Sequence, residues 1–186
     1  ARALRDFQAG RTDATLRVRS DQGGVETMPV ALFFRGREAL RPADRQAPER
    51  VRGRVLDGGA GVGSMALLVQ ESGLEVTAVE VIPEAVEIMR LRGVRDPRLG
   101  RLEDLPEVGA FDTILLLMNG TALAGTMESM PGFLVLLERL LAPGGQVLMD
   151  STDLLEGWGP GGWLPRGAHS LRVLLEDYPG ELQYQL

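Results

Sequence analysis

Short apolar runs of strand length alternate along this chain with stretches punctuated like helices. Val55-Leu56, Leu74 to Val79, Phe111 to Leu117 and Gln146 to Met149 read as strands. Phe111 to Leu117 is apolar at nearly every position, which suits a central parallel strand covered on both faces. Between the runs lie three helical stretches. Ser64 to Ser72 opens on a capping residue and closes at Gly73. Pro83 suits a first helical position, and the helix it opens runs from Glu84 to Leu91 and stops at Gly93. Pro131 to Leu141 carries Phe133, Leu134, Leu136, Leu137, Leu140 and Leu141. Val94 to Pro106 holds a short third strand and its loop. Strands alternating with helices predict βαβ units and an α/β fold.

The flanks are less regular. Residues 1–20 mix Arg with Leu4, Phe7, Leu16 and Val18, a pattern open to an amphipathic helix, a lid or a solvated arm. Asp21-Gln22-Gly23-Gly24 is a turn. Met28 to Arg35 is apolar and aromatic, and Arg37 to Arg52 reads as a helix plus linker. The stretch from Gly157 to Pro165 is rich in Gly and Pro and carries Trp158 and Trp163, so it reads as a loop. Leu171 to Tyr178 is expected to be a final helix, stopped by Pro179-Gly180. Glu181 to Leu186 alternates like a strand, and with no initiating Met both ends look cut.

Composition narrows the class. The 186 residues suffice for one domain with a proper core, and 44% hydrophobic with 25% charged content is ordinary for a globular chain. There is no cysteine, which removes disulfides and thiolate metal sites. A net charge of −6 argues against a broad nucleic-acid surface. No apolar run approaches the ~18 residues of a membrane span, and no signal-peptide core stands at the start, so a cytoplasmic location is the default expectation.

The chemistry concentrates at the end of the first core strand. Asp57-Gly58-Gly59-Ala60-Gly61-Val62-Gly63-Ser64 places an acid and alternating glycines between a strand and a helix start. Glycine lets backbone approach a ligand closely, and the helix start offers unpaired N–H groups. Asp57 can accept from an amine or order the loop. Glu80 follows 23 positions later, at the end of the second strand, where a carboxylate can take both hydroxyls of a ribose. Asn119 ends the fourth strand, where it can orient a substrate or serve as a turn residue. Asp150-Ser151-Thr152-Asp153 ends the fifth, open to substrate binding or to a solvated loop. His169 is the only histidine, a residue type whose unperturbed pKa allows general-base work, but a lone histidine far from the glycine turn is more often structural.

Asp57-x-Gly59-x-Gly61-x-Gly63 with Glu80, the run Phe111 to Leu117 and the turn Leu140-Leu141-Ala142-Pro143-Gly144-Gly145 together resemble the class I S-adenosylmethionine-dependent methyltransferases. The resemblance covers about residues 51 to 153. It implies an α/β fold with a doubly wound, mostly parallel seven-stranded-type sheet of order 3-2-1-4-5-7-6 and helices on both faces, here with the last strand missing, and methyl transfer from S-adenosylmethionine. It divides the chain into an N-terminal arm or cap, 1–50, and a methyltransferase domain, 51–186. The cofactor residues it implies are Asp57, Gly58, Gly59, Ala60, Gly61, Gly63, Glu80, Val81, Leu102, Glu103, Met118 and Asn119. Val81 and Ile82 are expected beside the adenine. Arg101 stands where the family usually has an acid for the adenine amine, leaving Glu103, Asp104 or the Leu102 backbone to that role. Phe33, Phe34 and Arg35 are candidates for the pocket, or simply pack their segment on the sheet. No catalytic residue is fixed; Asn119 and His169 are the candidates, and no metal is expected. The expected partner is a small-molecule methyl acceptor rather than nucleic acid or membrane, with pairing of two copies open. Two other readings stand beside this one. A nicotinamide-dependent oxidoreductase has a related fingerprint, but here the third glycine falls one position early. A non-catalytic subunit could retain the same fold.

Overall fold

The computed structural model describes residues 1–19, 25–40, 42–150, 170–174 and 181–185. In chain order its elements begin with α1 (Arg2–Gln8), β1 (Thr15–Arg19), β2 (Val25–Pro29), α2 (Pro42–Arg45), α3 (Ala47–Arg50), β3 (Val55–Gly58), α4 (Ser64–Glu71) and β4 (Val76–Glu80). There follow α5 (Pro83–Arg92), β5 (Asp96–Leu99), β6 (Phe111–Leu116), α6 (Met130–Leu140), β7 (Leu141–Met149), β8 (Ser170–Leu174) and β9 (Glu181–Gln185). The chain falls into two units, Phe33–Ser151 and the pair of segments Arg2–Leu32 and Thr152–Leu186.

The first unit is built on a five-stranded sheet of order β5-β4-β3-β6-β7. Every neighbouring pair in it is parallel. In order of appearance this is 3-2-1-4-5, as expected. Side-chain direction alternates along each strand, and the core divides accordingly. Val55, Val76, Ala78 and Leu115 pack with Ala47, Ala66, Val69, Val86 and Met89, which come from α3, α4 and α5. Leu56, Val79, Ile114 and Leu116 pack instead with Phe133, Leu137 and Leu140 of α6. The helices therefore cover both faces, and the central strand β3 is buried at all four positions. Pro97 sits in β5, at the border of the sheet, where a missing ladder donor is tolerated.

Several local expectations are revised. Ser64 does not cap α4: Gly63 occupies the N-cap with φ 79°, and Ser64 is the first helical residue. The fifth strand begins at Leu141 rather than Gln146, with a register shift between Phe111 and Thr113 that takes up the Pro-Gly-Gly turn. Arg37 to Arg52 is not one helix but a 3-10 turn, Arg37–Ala39, then α2 and α3.

In the second unit, β1 and β2 form an antiparallel hairpin, and β8 pairs antiparallel with β9. The helix expected over Leu171 to Tyr178 is therefore a strand at Ser170–Leu174. Leu171 and Val173 flank Arg172, a period of two that the backbone follows once a partner strand is present. Among the described residues β9 pairs with β8 and is not a member of the five-stranded sheet.

Candidate functional site

The carboxyl ends of β3, β4 and β6 meet in the middle of the sheet, where the connections reverse direction from β3 outward. Such a crevice is where open α/β sheets bind ligands. Asp57 is the third residue of β3, one before its end, and is 3% exposed. One of its carboxylate oxygens, Oδ2, is buried without a hydrogen-bond partner. Burial pushes its pKa up to about 7, the Ala66 amide works against that rise, and the charge of Glu80 adds to it. An uncompensated acid at this place is what a cationic group would satisfy.

The glycine loop follows. Gly59 and Ala60 donate their amides to Val79 O at 2.9 and 3.0 Å, tying the loop to β4. Gly61 adopts φ 56° and has open space where a side chain would start. Its amide donates to Glu80 Oε2 at 2.9 Å. Glu80 Oε1 accepts from Val81 N at 2.7 Å and Ile82 N at 3.0 Å. The Glu80 carboxylate thus faces the glycine loop across the crevice, held by backbone donors. At Gly63 a Cβ would stand 2.6 Å from Val94 Cγ2 and 2.9 Å from Met89 Cγ, so this glycine serves the close packing of α4 on α5. A Cβ at Gly58 would meet Leu116 Cδ2 at 2.7 Å, and that glycine likewise answers to packing.

Next to Glu80, Val81 is 58% and Ile82 36% exposed, and Leu99 at the end of β5 is 56% exposed. Three apolar side chains left open at the strand tips suit a flat aromatic ring. Leu102 is buried and lies 3.2 Å from the Cβ position of Gly58, so it forms the floor there. Arg101 pairs at 3.7 Å with exposed Glu103, while the Asp104 carboxylate accepts from the Arg101 amide at 3.3 Å. Asp104 is thereby committed to its own turn, although both acids are exposed.

Met118 and Asn119 follow β6 with φ 60° and 72°, in the left-handed region although neither is glycine. His169, Trp158, Trp163 and the stretch from Ser151 to Asp153 lie outside the described residues.

The segment ahead of β3 is pinned to this site by contacts the sequence did not disclose. Ser64 Oγ donates to Phe33 O at 2.7 Å. Arg92, at the end of α5, donates to Val62 O at 2.6 Å and Ser64 Oγ at 3.1 Å and lies 5.1 Å from the centre of the Phe34 ring. Burial lowers the Arg92 pKa. Arg35 is 7% exposed, pairs with Asp44 at 3.2 Å and donates to Met118 Sδ at 2.8 Å. Of the aromatic pair, then, Phe34 packs under a guanidinium and Phe33 contributes its carbonyl, while Arg35 reaches the end of β6. A lone Arg near a helix C-terminus, such as Arg92, carries no sequence mark of such a role.

A family model described as a methyltransferase domain matches residues 32–182. A crystal structure of an S-adenosylmethionine-dependent methyltransferase from Bacteroides fragilis, in complex with S-adenosyl-L-homocysteine, superposes with a TM-score of 0.81 at 38% identity, covering 99% of this chain and 78% of that one. A ubiquinone biosynthesis O-methyltransferase of Methylocella silvestris is 29% identical over 157 residues, 76% of this chain and 59% of the relative. An uncharacterized methyltransferase of Mycobacterium bovis is 31% identical over 135 residues, 69% of this chain and 53% of the relative. The chain thus spans between half and two thirds of the length of these two curated relatives. The acid-glycine turn, the strand order and these likenesses converge: the chain belongs to the S-adenosylmethionine-dependent methyltransferase family.

Proposed function

We propose that this protein transfers a methyl group from S-adenosylmethionine to a small-molecule acceptor. The observation that carries the reading is the pairing of two carboxylates across one glycine loop: Asp57 with an unpartnered buried oxygen and Glu80 on the Gly61 amide. Asp57 fits the cationic amino-acid end of the cofactor, and Glu80 fits the ribose hydroxyls in exchange for backbone donors it now holds. Gly58, Gly59, Ala60, Gly61 and Gly63 supply the turn that lets backbone lie close to the ligand. Val81, with Ile82, fits one face of the adenine. Leu102 and Glu103 complete that end, and Met118 and Asn119 stand on the side where the acceptor approaches.

The cofactor would supply an already activated sulfonium methyl, so the protein's work is alignment and exclusion of water. Asn119 is the residue we assign to orienting the acceptor. A small acceptor is supported by the ubiquinone pathway named for one relative and by the net charge of −6, which disfavours nucleic acid.

Titration with S-adenosylhomocysteine by calorimetry tests the cofactor site. Micromolar binding is expected, weakened roughly 10- to 100-fold by Glu80→Ala, the loss of one or two hydrogen bonds to a charged group. Failure of the unaltered protein to bind at millimolar ligand overturns the reading. A metabolite collection screened with radiolabelled methyl donor identifies the acceptor.

A further inference from the structure

We propose, resting on the cofactor reading above, that Asp150 is a positioning residue of this site. Its carboxylate holds the turn at residues 118–120 in a strained form that lays the following segment over the glycine loop.

Asp150 stands just past β7, yet its bonds run to the end of β6. Its Oδ2 accepts from Met118 N at 3.1 Å, and its Oδ1 accepts from Asn119 N at 2.7 Å and Gly120 N at 3.1 Å. Its backbone joins the same stretch: Asp150 N donates to Leu116 O at 3.2 Å, and Asp150 O accepts from Thr121 N at 3.3 Å. Three successive amides converging on one carboxylate form an anion-binding concavity, filled here by the chain's own acid. The geometry it holds is unfavourable by itself. Met118 enters the left-handed region without being glycine, against the clash of its Cβ with the following carbonyl, and Asn119, a residue that tolerates the region better, follows it there. Such a conformation persists only where the surroundings over-determine it, and Asp150 provides the surroundings. Arg35 adds a second hold through the Met118 sulfur.

The held turn points at the cofactor loop. At Gly120 the chain doubles back so tightly that a Cβ would lie 2.6 Å from Leu116 Cβ. The 3-10 turn Gly120–Ala124 then carries Leu123 to within 3.5 Å of the Cβ position of Gly59. Releasing residues 118–120 would therefore free the side chain that lies against the loop, and with it Asn119. Asp150 itself need not touch cofactor or acceptor.

Calorimetry with S-adenosylhomocysteine reads the device directly, because glycine adopts positive φ without strain. Asp150→Ala is expected to weaken binding at least about 10-fold, and Asp150→Asn, which keeps one oxygen acceptor, less. In a Met118→Gly/Asn119→Gly background the same Asp150→Ala change is expected to weaken binding no more than about 3-fold, a coupling that a double-mutant cycle isolates. Binding by Asp150→Ala within 2-fold of the unaltered protein overturns the proposal, as does an equal loss in both backgrounds. If Asp150→Ala does not fold, Asp150→Asn is compared across the same two backgrounds with the same criteria. No binding by the unaltered protein refutes the cofactor reading itself, and this inference with it.

Discussion

Asp57 keeps a carboxylate where the fold gives it little to neutralise it. Because the folded carboxyl, with a pKa of about 7, holds its proton more tightly than an unfolded one at 3.8, the folded state is favoured by protonation. The contribution is neutral below pH 3.8, turns against the fold as pH rises, and is complete above pH 7, at of order 4 kcal/mol. Denaturant unfolding of the ligand-free protein is thus expected to show stability falling between about pH 4 and pH 7 from this group. Asp57→Asn should flatten that slope and raise stability at pH 8, while weakening S-adenosylhomocysteine. A variant no more stable than the parent at pH 8 would remove Asp57 as the cause. Arg35 and Asp44 form an ion pair at 3.2 Å. Both partners are buried, so Asp44→Ala takes one carboxylate from a buried guanidinium and should lower unfolding free energy, by up to about 3–5 kcal/mol in a denaturant titration.

Among elements, the strands that lie inside the sheet were the most readable. Phe111 to Leu117 announced a central strand because both its faces are covered, and the glycine turn announced its helix because Gly58 and Gly63 stand where a Cβ would strike Leu116, Val94 and Met89. Where the reading missed, a partner distant in sequence had decided the outcome. Leu171 to Leu174 became a strand because β9 pairs with it. Ser64 gave its hydroxyl to Phe33 O instead of to its own helix. Asp150 was visible only as a polar residue at a strand end, since nothing in the sequence marks that three amides more than twenty-five residues earlier converge on it. The same logic ranks substitutions. Leu137 of α6 is 1% exposed against Ile114 and Leu116, and Leu137→Ala should lose 2–5 kcal/mol by the usual cost of a core cavity, about 5–15 °C in thermal midpoint. Thermal unfolding followed by circular dichroism checks this.

At the scale of the whole molecule, ligand and fold are one equilibrium. A ligand that binds only the folded chain stabilises it by about 2.7 kcal/mol at a hundred times its Kd. S-adenosylhomocysteine should therefore raise the melting midpoint by several degrees, and Glu80→Ala should abolish most of that rise measured against its own ligand-free midpoint. NADH should produce no rise. No helix among the described residues is long and apolar enough to cross a membrane. The proline at position 97 has a consequence that reaches past its own strand. Lacking an amide hydrogen, it interrupts the row of donors on which any newcomer to the β5 border would have to zip, while among the described residues β7 has no neighbour beyond it. From Gln146 to Met149 the β7 border keeps an unbroken row of amides, so a strand added to the five-stranded sheet would find its donors there rather than along β5.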